Sequence, residues 1–223
     1  MTPGGVTIRL AWAAMAVALL VSGWMGFRVV WSEHRNAQSP VPGPVDVGFA
    51  QSMIAHHDQA VTMAQIVLGD GSSKVSGLAR TILTKQLLEI GQMRGWLALW
   101  GKPILPATRG VDWMLLGKTT PDEALAKYLL ECRTSNGSMP GLATSEELNT
   151  LRSSSGPARD RLFLQLMLRH HQGALPMARF AIDNAGIPAV RSLAAEIVFE
   201  QSGELASMAL LLRSMSARSA QAD

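Results

Sequence analysis

An internal repeat constrains this chain more than any other feature. Asp46, Phe49, Met53, His56, His57, Ala60, Met63 and Ala64 recur as Asp160, Phe163, Met167, His170, His171, Ala174, Met177 and Ala178, each pair 114 positions apart. A second block follows in each copy: Ile82, Gln86, Glu89 and Met93 return as Ile197, Gln201, Glu204 and Met208, now 115 positions apart. One residue has therefore been gained in the intervening turn. Two blocks in the same order define a duplicated structural unit.

Both blocks have helical spacing. Phe49, Met53, His56, Ala60 and Met63 advance by alternating steps of four and three, which keeps them on one helix face. Gly69-Asp70-Gly71 ends the first helix, and Gly101 with Pro103 ends the second. Asn184-Ala185-Gly186 and Pro188 mark the matching turn of the second copy. The unit is a helical hairpin, spanning 46–101 and again 157–215, with a connection over 102–156. Neither hairpin can bury its apolar face alone, so the pair predicts an all-α four-helix bundle over 46–215 with approximate two-fold symmetry. Composition agrees: hydrophobic residues make up 48%, with 12 Met but 1 Tyr, a balance that favours helices over strands. The connection predicts one short helix after Thr120-Pro121-Asp122-Glu123, with loops around Ser135–Gly141 and Ser153–Gly156. Pro176, inside the second helical pattern, predicts a kink and a Gln172 carbonyl without its usual donor.

Ahead of the repeat, Leu10 to Phe27 carries no charge between Arg9 and Arg28. At about 1.5 Å per residue such a segment matches a bilayer core, and Trp12, Trp24 and Trp31 suit its interfaces. No small-x-small cleavage site follows the apolar run, so residues 1–31 read as a retained signal anchor in preference to a cleaved signal peptide. The expectation is a single-pass cell-membrane protein whose C-terminal domain is extracytoplasmic, joined by a proline-containing linker over 32–45. The formal charge of +3 is spread along the chain, with no phosphate-binding stripe, so nucleic acid is not an expected partner. Cys132 is the single cysteine and reads as an unpaired helix residue.

The chemistry centres on His56-His57 and His170-His171, which hold all but one of the five histidines. A buried imidazole needs partners for both nitrogens, so packing alone would be served better by Leu or Ala. Two readings follow: ligands for a metal ion, or satisfied polar residues that fix the register of the bundle. Met53, Met63, Met167 and Met177 lie on the same helical faces, and Glu89 with Met93 and Glu204 with Met208 come from the partner helices. Imidazole with thioether favours copper, above all Cu(I); each carboxylate could ligate Cu(II) or orient an imidazole. For any one Met, core packing is the simpler role. The spacing leaves open whether the His pairs make one shared site or two. Asp46 and Asp160, ten residues before the first His, read as caps or first-turn charges. Gln86 and Gln201 could bond across the bundle.

Met53-x-x-His56-His57 with Met63-Ala64, its second copy at Met167 to Ala178, and Gln86-x-x-Glu89-Ile90 resemble the bacterial family catalogued as domain of unknown function 305. Met139-Pro140-Gly141 resembles a further segment of that family. The resemblance runs from Asp46 to Leu212. It implies a ferritin-like fold, export or membrane anchoring, and metal binding, with copper the usual suggestion. Three positions depart from the pattern: Leu205 after Glu204, Leu211 where the first copy has Trp96, and Leu142 where relatives commonly carry another Met.

The leading expectation is a non-catalytic copper-binding protein serving storage, buffering or resistance. A ferritin-like di-metal oxidase would want Glu-x-x-His pairs, whereas Met53, Ile54, Met167 and Leu168 stand three residues before the four histidines. A metal-free scaffold for envelope proteins is the third reading. There is no nucleophile-elbow motif and no Gly-rich phosphate loop.

Overall fold

The computed structural model describes residues 15, 19–28, 41–69, 71–106, 110–118, 121–135 and 137–219. The chain divides into two units, 1–41 and 42–223. In the first, residues 19–28 are helical and present exposed Leu19, Leu20, Trp24 and Phe27. Most of the expected anchor, and residues 32–40 of the expected linker, lie outside the described residues. Among those described, no helix is long and apolar enough to cross a membrane.

The second unit is all-helical, with no strand among its described residues. Its four long helices are α1 (Pro44–Leu68), α2 (Ser76–Leu99), α5 (Gly156–Asn184) and α6 (Pro188–Ser219). Proline opens three of them where its missing N–H costs nothing: Pro44, Pro157 and Pro188 all fall in a first turn. Gly69 caps the end of α1, and Gly101, at φ 62°, turns the chain after α2. α5 passes through Pro176 as one helix.

α1 packs on α2, α5 packs on α6, and the two hairpins meet through α1 and α5. The core then separates into two halves. One gathers Phe49, Met53 and Ile54 from early α1, Met93 and Leu97 from late α2, Met177 and Ala181 from late α5, and Val190 and Ile197 from early α6. The other gathers Met63 and Val67, Ala79 and Ile82, Phe163 and Met167, and Met208 from the opposite ends of those helices. Late α5 thus lies beside early α1, so the hairpins run antiparallel and are related by an approximate two-fold. Each fully buried Met, Phe or Ile side chain contributes about 1.5–3 kcal/mol.

The connection holds more structure than the sequence predicts. The expected helix is α3 (Glu123–Thr134), capped by the Asp122 carboxylate on the Leu125 N–H (2.8 Å). A second helix, α4 (Ser145–Ser153), starts at a capping box in which Thr144 and Glu147 bond each other's backbone N–H (3.1 and 2.8 Å). A 3-10 turn over Asp112–Leu116 lays Trp113 onto Gly48 of α1, where any Cβ would overlap the indole, and bonds Ser52 Oγ (2.9 Å). The expected loop at 153–156 reduces to Ser154 and Ser155, because α5 begins at Gly156.

Asp46 caps its own helix, but Asp160, past the first turn of α5, does not, contrary to the sequence expectation; both bond the opposite hairpin. Asp46 accepts from the Gly43 N–H (2.8 Å) and also, from the other hairpin, the Ile187 N–H at the α5–α6 turn (2.8 Å). Asp160 accepts from Ser73 Oγ (2.7 Å) and the Lys74 N–H (2.9 Å) at the α1–α2 turn. Each copy's aspartate therefore fastens the turn of the other. Since carboxylate hydrogen bonds contribute about 1.5–3 kcal/mol, Asp46→Ala and Asp160→Ala should each lower unfolding free energy by that amount. The fastenings sit at opposite ends, so urea denaturation of the double variant should show additive losses.

Candidate metal centre

The four paired histidines meet at the waist between the two core halves. His56 and His57 are midway along α1, His170 and His171 midway along α5, and all four are fully buried. Their rings form one row. His56 and His170 are central, with ring centroids 3.8 Å apart, while His57 lies 6.4 Å beyond His56 and His171 lies 6.1 Å beyond His170. The two pairs thus lie together in one cluster of rings.

The row has matched ends. His57 Nε2–H donates to Glu89 Oε2 of α2 (2.6 Å), and His171 Nε2–H donates to Glu204 Oε2 of α6 (2.6 Å). A carboxylate partner fixes the tautomer, leaving the lone pair on Nδ1. In the centre, His170 Nε2–H donates to the His56 backbone carbonyl (2.9 Å). His57, His170 and His171 Nδ1 have no hydrogen-bond partner among the described residues, and the His56 ring has only the Pro140 backbone within reach. The amides of Gln86 (α2) and Gln201 (α6) are likewise buried and unpartnered, so the cross-bundle bond open to them is not formed. Leaving a buried polar atom unpaired costs about 1–3 kcal/mol, and the bundle's own described side chains do not offset that cost at the waist.

Burial, reinforced by the neighbouring His57 and His171, pushes the His56 imidazole well below its ordinary pKa. Burial and then the adjacent His56 ring do the same to His170. Both central rings are neutral near pH 7, the form in which imidazole binds a metal.

The thioethers divide between the two core halves on either side of this row. Met53, Met93 and Met177 belong to one core half, and Met63, Met167 and Met208 to the other. Each trio draws on three helices and is the repeat-image of the other. Met53 and Met63, two anchors of one sequence motif, therefore fall on opposite sides of the waist. Among the described residues no group of three His, Cys, Asp or Glu side chains is gathered closely enough to hold a metal alone. Imidazole with thioether is the donor set at hand, and it suits a soft ion.

The sequence reading missed how the waist is closed. Between α1 and α5, Gln59 accepts from the Ala143 N–H (2.6 Å) and donates to the Ala143 carbonyl (2.9 Å). The preceding Met139-Pro140-Gly141 segment presses onto Gly173 so closely that any Cβ there would overlap the Pro140 carbonyl oxygen. Gly141 takes φ 90°, and Tyr128 Oη–H bonds the Gly173 carbonyl (3.1 Å). Across α2 and α6, Lys85 Nζ pairs with Glu200 Oε1 (3.1 Å) and Glu204 Oε1 (3.7 Å). Burial opposes the Lys85 charge, but the bond to Glu200 and the nearby carboxylates outweigh it and raise the Lys85 pKa. Gly141 and Gly173 were a readable clue to close backbone approach; Lys85 offered none. Cys132 on α3 is a free, buried thiol whose pKa burial raises.

The family model described as domain of unknown function (DUF305) matches residues 46–212. No curated protein matches the chain. Among solved structures, a DUF305 protein from Streptomyces coelicolor is 32% identical over 77% of this chain and 94% of its own, with a TM-score of 0.65. A DUF305 fragment from Deinococcus radiodurans is 31% identical over 78% and 99%, with a TM-score of 0.60. CopM in its Cu(II)-bound form is 25% identical over 76% and 96%, with a TM-score of 0.54, and its Cu(I)-bound form is also 25% identical, at 0.53.

Neutral buried imidazoles make metal-free stability depend on pH. Below about pH 6.5 the unfolded chain protonates these rings while the folded chain does not. The folded state then binds fewer protons, so stability is complete above that value and declines as pH falls toward the lowered folded pKa values. Each ring contributes a slope of up to about 1.4 kcal/mol per pH unit. Urea midpoints should be flat above neutrality and fall in mild acid, with His56→Leu/His170→Leu removing much of the fall.

Proposed function

Taking as premise that the chain belongs to the DUF305 family, we propose that it is a copper-binding protein of the cell envelope, serving storage, buffering or resistance without catalysis. The observation that carries this reading is the waist: four buried imidazoles with unpartnered nitrogens, between two trios of buried thioethers. His56, His57, His170 and His171 would supply the central donors. Met53, Met93 and Met177 on one side, and Met63, Met167 and Met208 on the other, would supply soft donors for Cu(I). Glu89 and Glu204 would act chiefly by holding His57 and His171 in the tautomer that turns Nδ1 inward. CopM, with its Cu(I)- and Cu(II)-bound forms, supports the choice of metal.

In this reading the helical unit is a ferritin-like four-helix bundle held at the membrane by the apolar N-terminal segment. An extracytoplasmic location agrees with the secreted-protein description carried by the Streptomyces coelicolor relative.

The test is titration of the full chain, purified without chelators, with Cu(I), Cu(II) and Zn(II). Copper should bind tightly to the native chain and be lost in the variant with all four paired histidines changed to Ala, provided its helical circular dichroism persists. Met53→Leu/Met167→Leu should weaken Cu(I) more than Cu(II), because the thioether prefers the softer ion. A well-folded native chain that takes up no copper would leave the scaffold reading in front.

A further inference from the structure

The two ends of the bundle show different surfaces to solvent. One end gathers the start of α1, the last turn of α2, the α5–α6 turn and the connection over 101–118. Asp46 of α1 holds the Ile187 N–H there, and Gln51 Nε2–H donates to the Pro103 carbonyl (2.7 Å). Gly117 packs so closely on Phe180 and Asn184 of α5 that a Cβ would overlap them. On these segments the large apolar side chains of Leu99, Ile104, Leu105, Leu115 and Leu116 are exposed. Leu99 and Leu105 are 84% and 72% exposed, so neither is held by the core. A hollow of about 460 Å³ opens at the same end, lined by Pro42, Pro44, Val47, Lys102, Pro106 and Trp113.

The opposite end holds the α1–α2 turn, the start of α5 and the last two turns of α6. Asp160 draws it together through Ser73 and Lys74. Among the described residues of that end, no large apolar side chain is exposed. The remaining exposed ones, such as Leu88, Leu130 and Phe199, are spread over the sides of α2, α3 and α6. Scattered apolar residues need no partner, whereas a group at one end marks a surface that meets something.

The apolar end is also where the chain enters the bundle, through Pro42-Gly43-Pro44. N-terminal to that entry comes the uncharged stretch from Leu10 to Phe27. The linker over 32–45 spans at most about 50 Å when fully extended. A tether this short raises the local concentration of whatever surface it is fixed to, so a weak contact suffices. Exposed Lys102 falls between Leu99 and Ile104 in the chain, and exposed Lys118 follows Leu116. Long cationic side chains beside apolar ones suit a face that lies on lipid headgroups.

We propose that the end of the bundle carrying Leu99, Ile104, Leu105, Leu115 and Leu116 docks on the lipid bilayer that holds the N-terminal segment. The proposal rests on the membrane-anchored reading above. The apolar side chains enter the headgroup layer, and the Lys102 and Lys118 ammonium groups meet lipid phosphates. The bundle then stands on its end. His57 lies about 20 Å along α1 from Pro44, so the waist is held clear of the lipid.

The experiment places a nitrobenzoxadiazole label on the full chain at Leu116→Cys, or at Gly71→Cys, where the far-end turn is open to solvent. Both are made in a Cys132→Ala background that keeps its helical circular dichroism. The chains are reconstituted into phosphatidylcholine–phosphatidylglycerol vesicles with or without nitroxide-labelled phosphatidylcholine. The label at position 116 should lose fluorescence to the nitroxide lipid, and the label at position 71 should not. Leu99→Glu/Leu105→Glu should restore the signal at position 116 without releasing the chain from the vesicles. Equal quenching at both positions, or none at 116 in a chain that floats with the vesicles, would overturn the docking and leave the anchor intact. A label at 116 that is shielded only as more chain is added per vesicle would give this face to a second copy and overturn the docking equally. A full chain that does not float with the vesicles would overturn the anchored reading and the docking together.

Discussion

Two imidazole rings, one from each copy of the repeat, face each other 3.8 Å apart where the axis relating the copies passes. That contact organises the rest of the molecule. It buries polar atoms in the one layer no hairpin can close by itself, and it divides the apolar core into two image-related halves. The helices on either side must supply what the rings require. α2 and α6 bring a glutamate to each outer histidine, while the connection brings Pro140 over the centre. A layer with this many unsatisfied nitrogens lowers stability, and apolar burial above and below it must offset that cost.

Much of the helical framework was legible because duplication wrote it twice. The steps of four and three from Phe49 to Met63, the glycines after α1 and the proline opening α6 all correspond to observed elements. The connection was harder to read. α4 is only nine residues long and its sole strong signal was the Thr144–Glu147 capping box. The 3-10 turn forms because Trp113 finds Gly48 and Ser52, far away in sequence. Within the candidate site, periodicity marked the helix face but not the position along it. Residues seven or ten apart share a helix face, yet they are about 10 to 15 Å apart along the axis, which is enough to place Met53 and Met63 on opposite sides of the row.

The copies have diverged where symmetry was no longer useful. Trp96 is partly buried against one core half and stacks on Trp100 with centroids 6.1 Å apart, while its equivalent Leu211 packs on the other half. The difference follows the surroundings, since α3 and the 3-10 turn cover the first half and α4 covers the second. The histidines, their glutamates and the six methionines of the two trios kept their pairing. Lys85, which faces Glu200 at its own repeat-equivalent position, is another departure.

The reciprocal aspartates carry a consequence for the history of the fold. Asp46 and Asp160 each reach over to secure the turn of the opposite hairpin. That is the arrangement expected of two identical subunits clasping one another, later joined end to end in a single gene. In a homodimer every substitution is made twice, and a lysine facing its own image would repel it. Fusion freed each half to vary alone, and only then could one position carry opposite charges on its two sides.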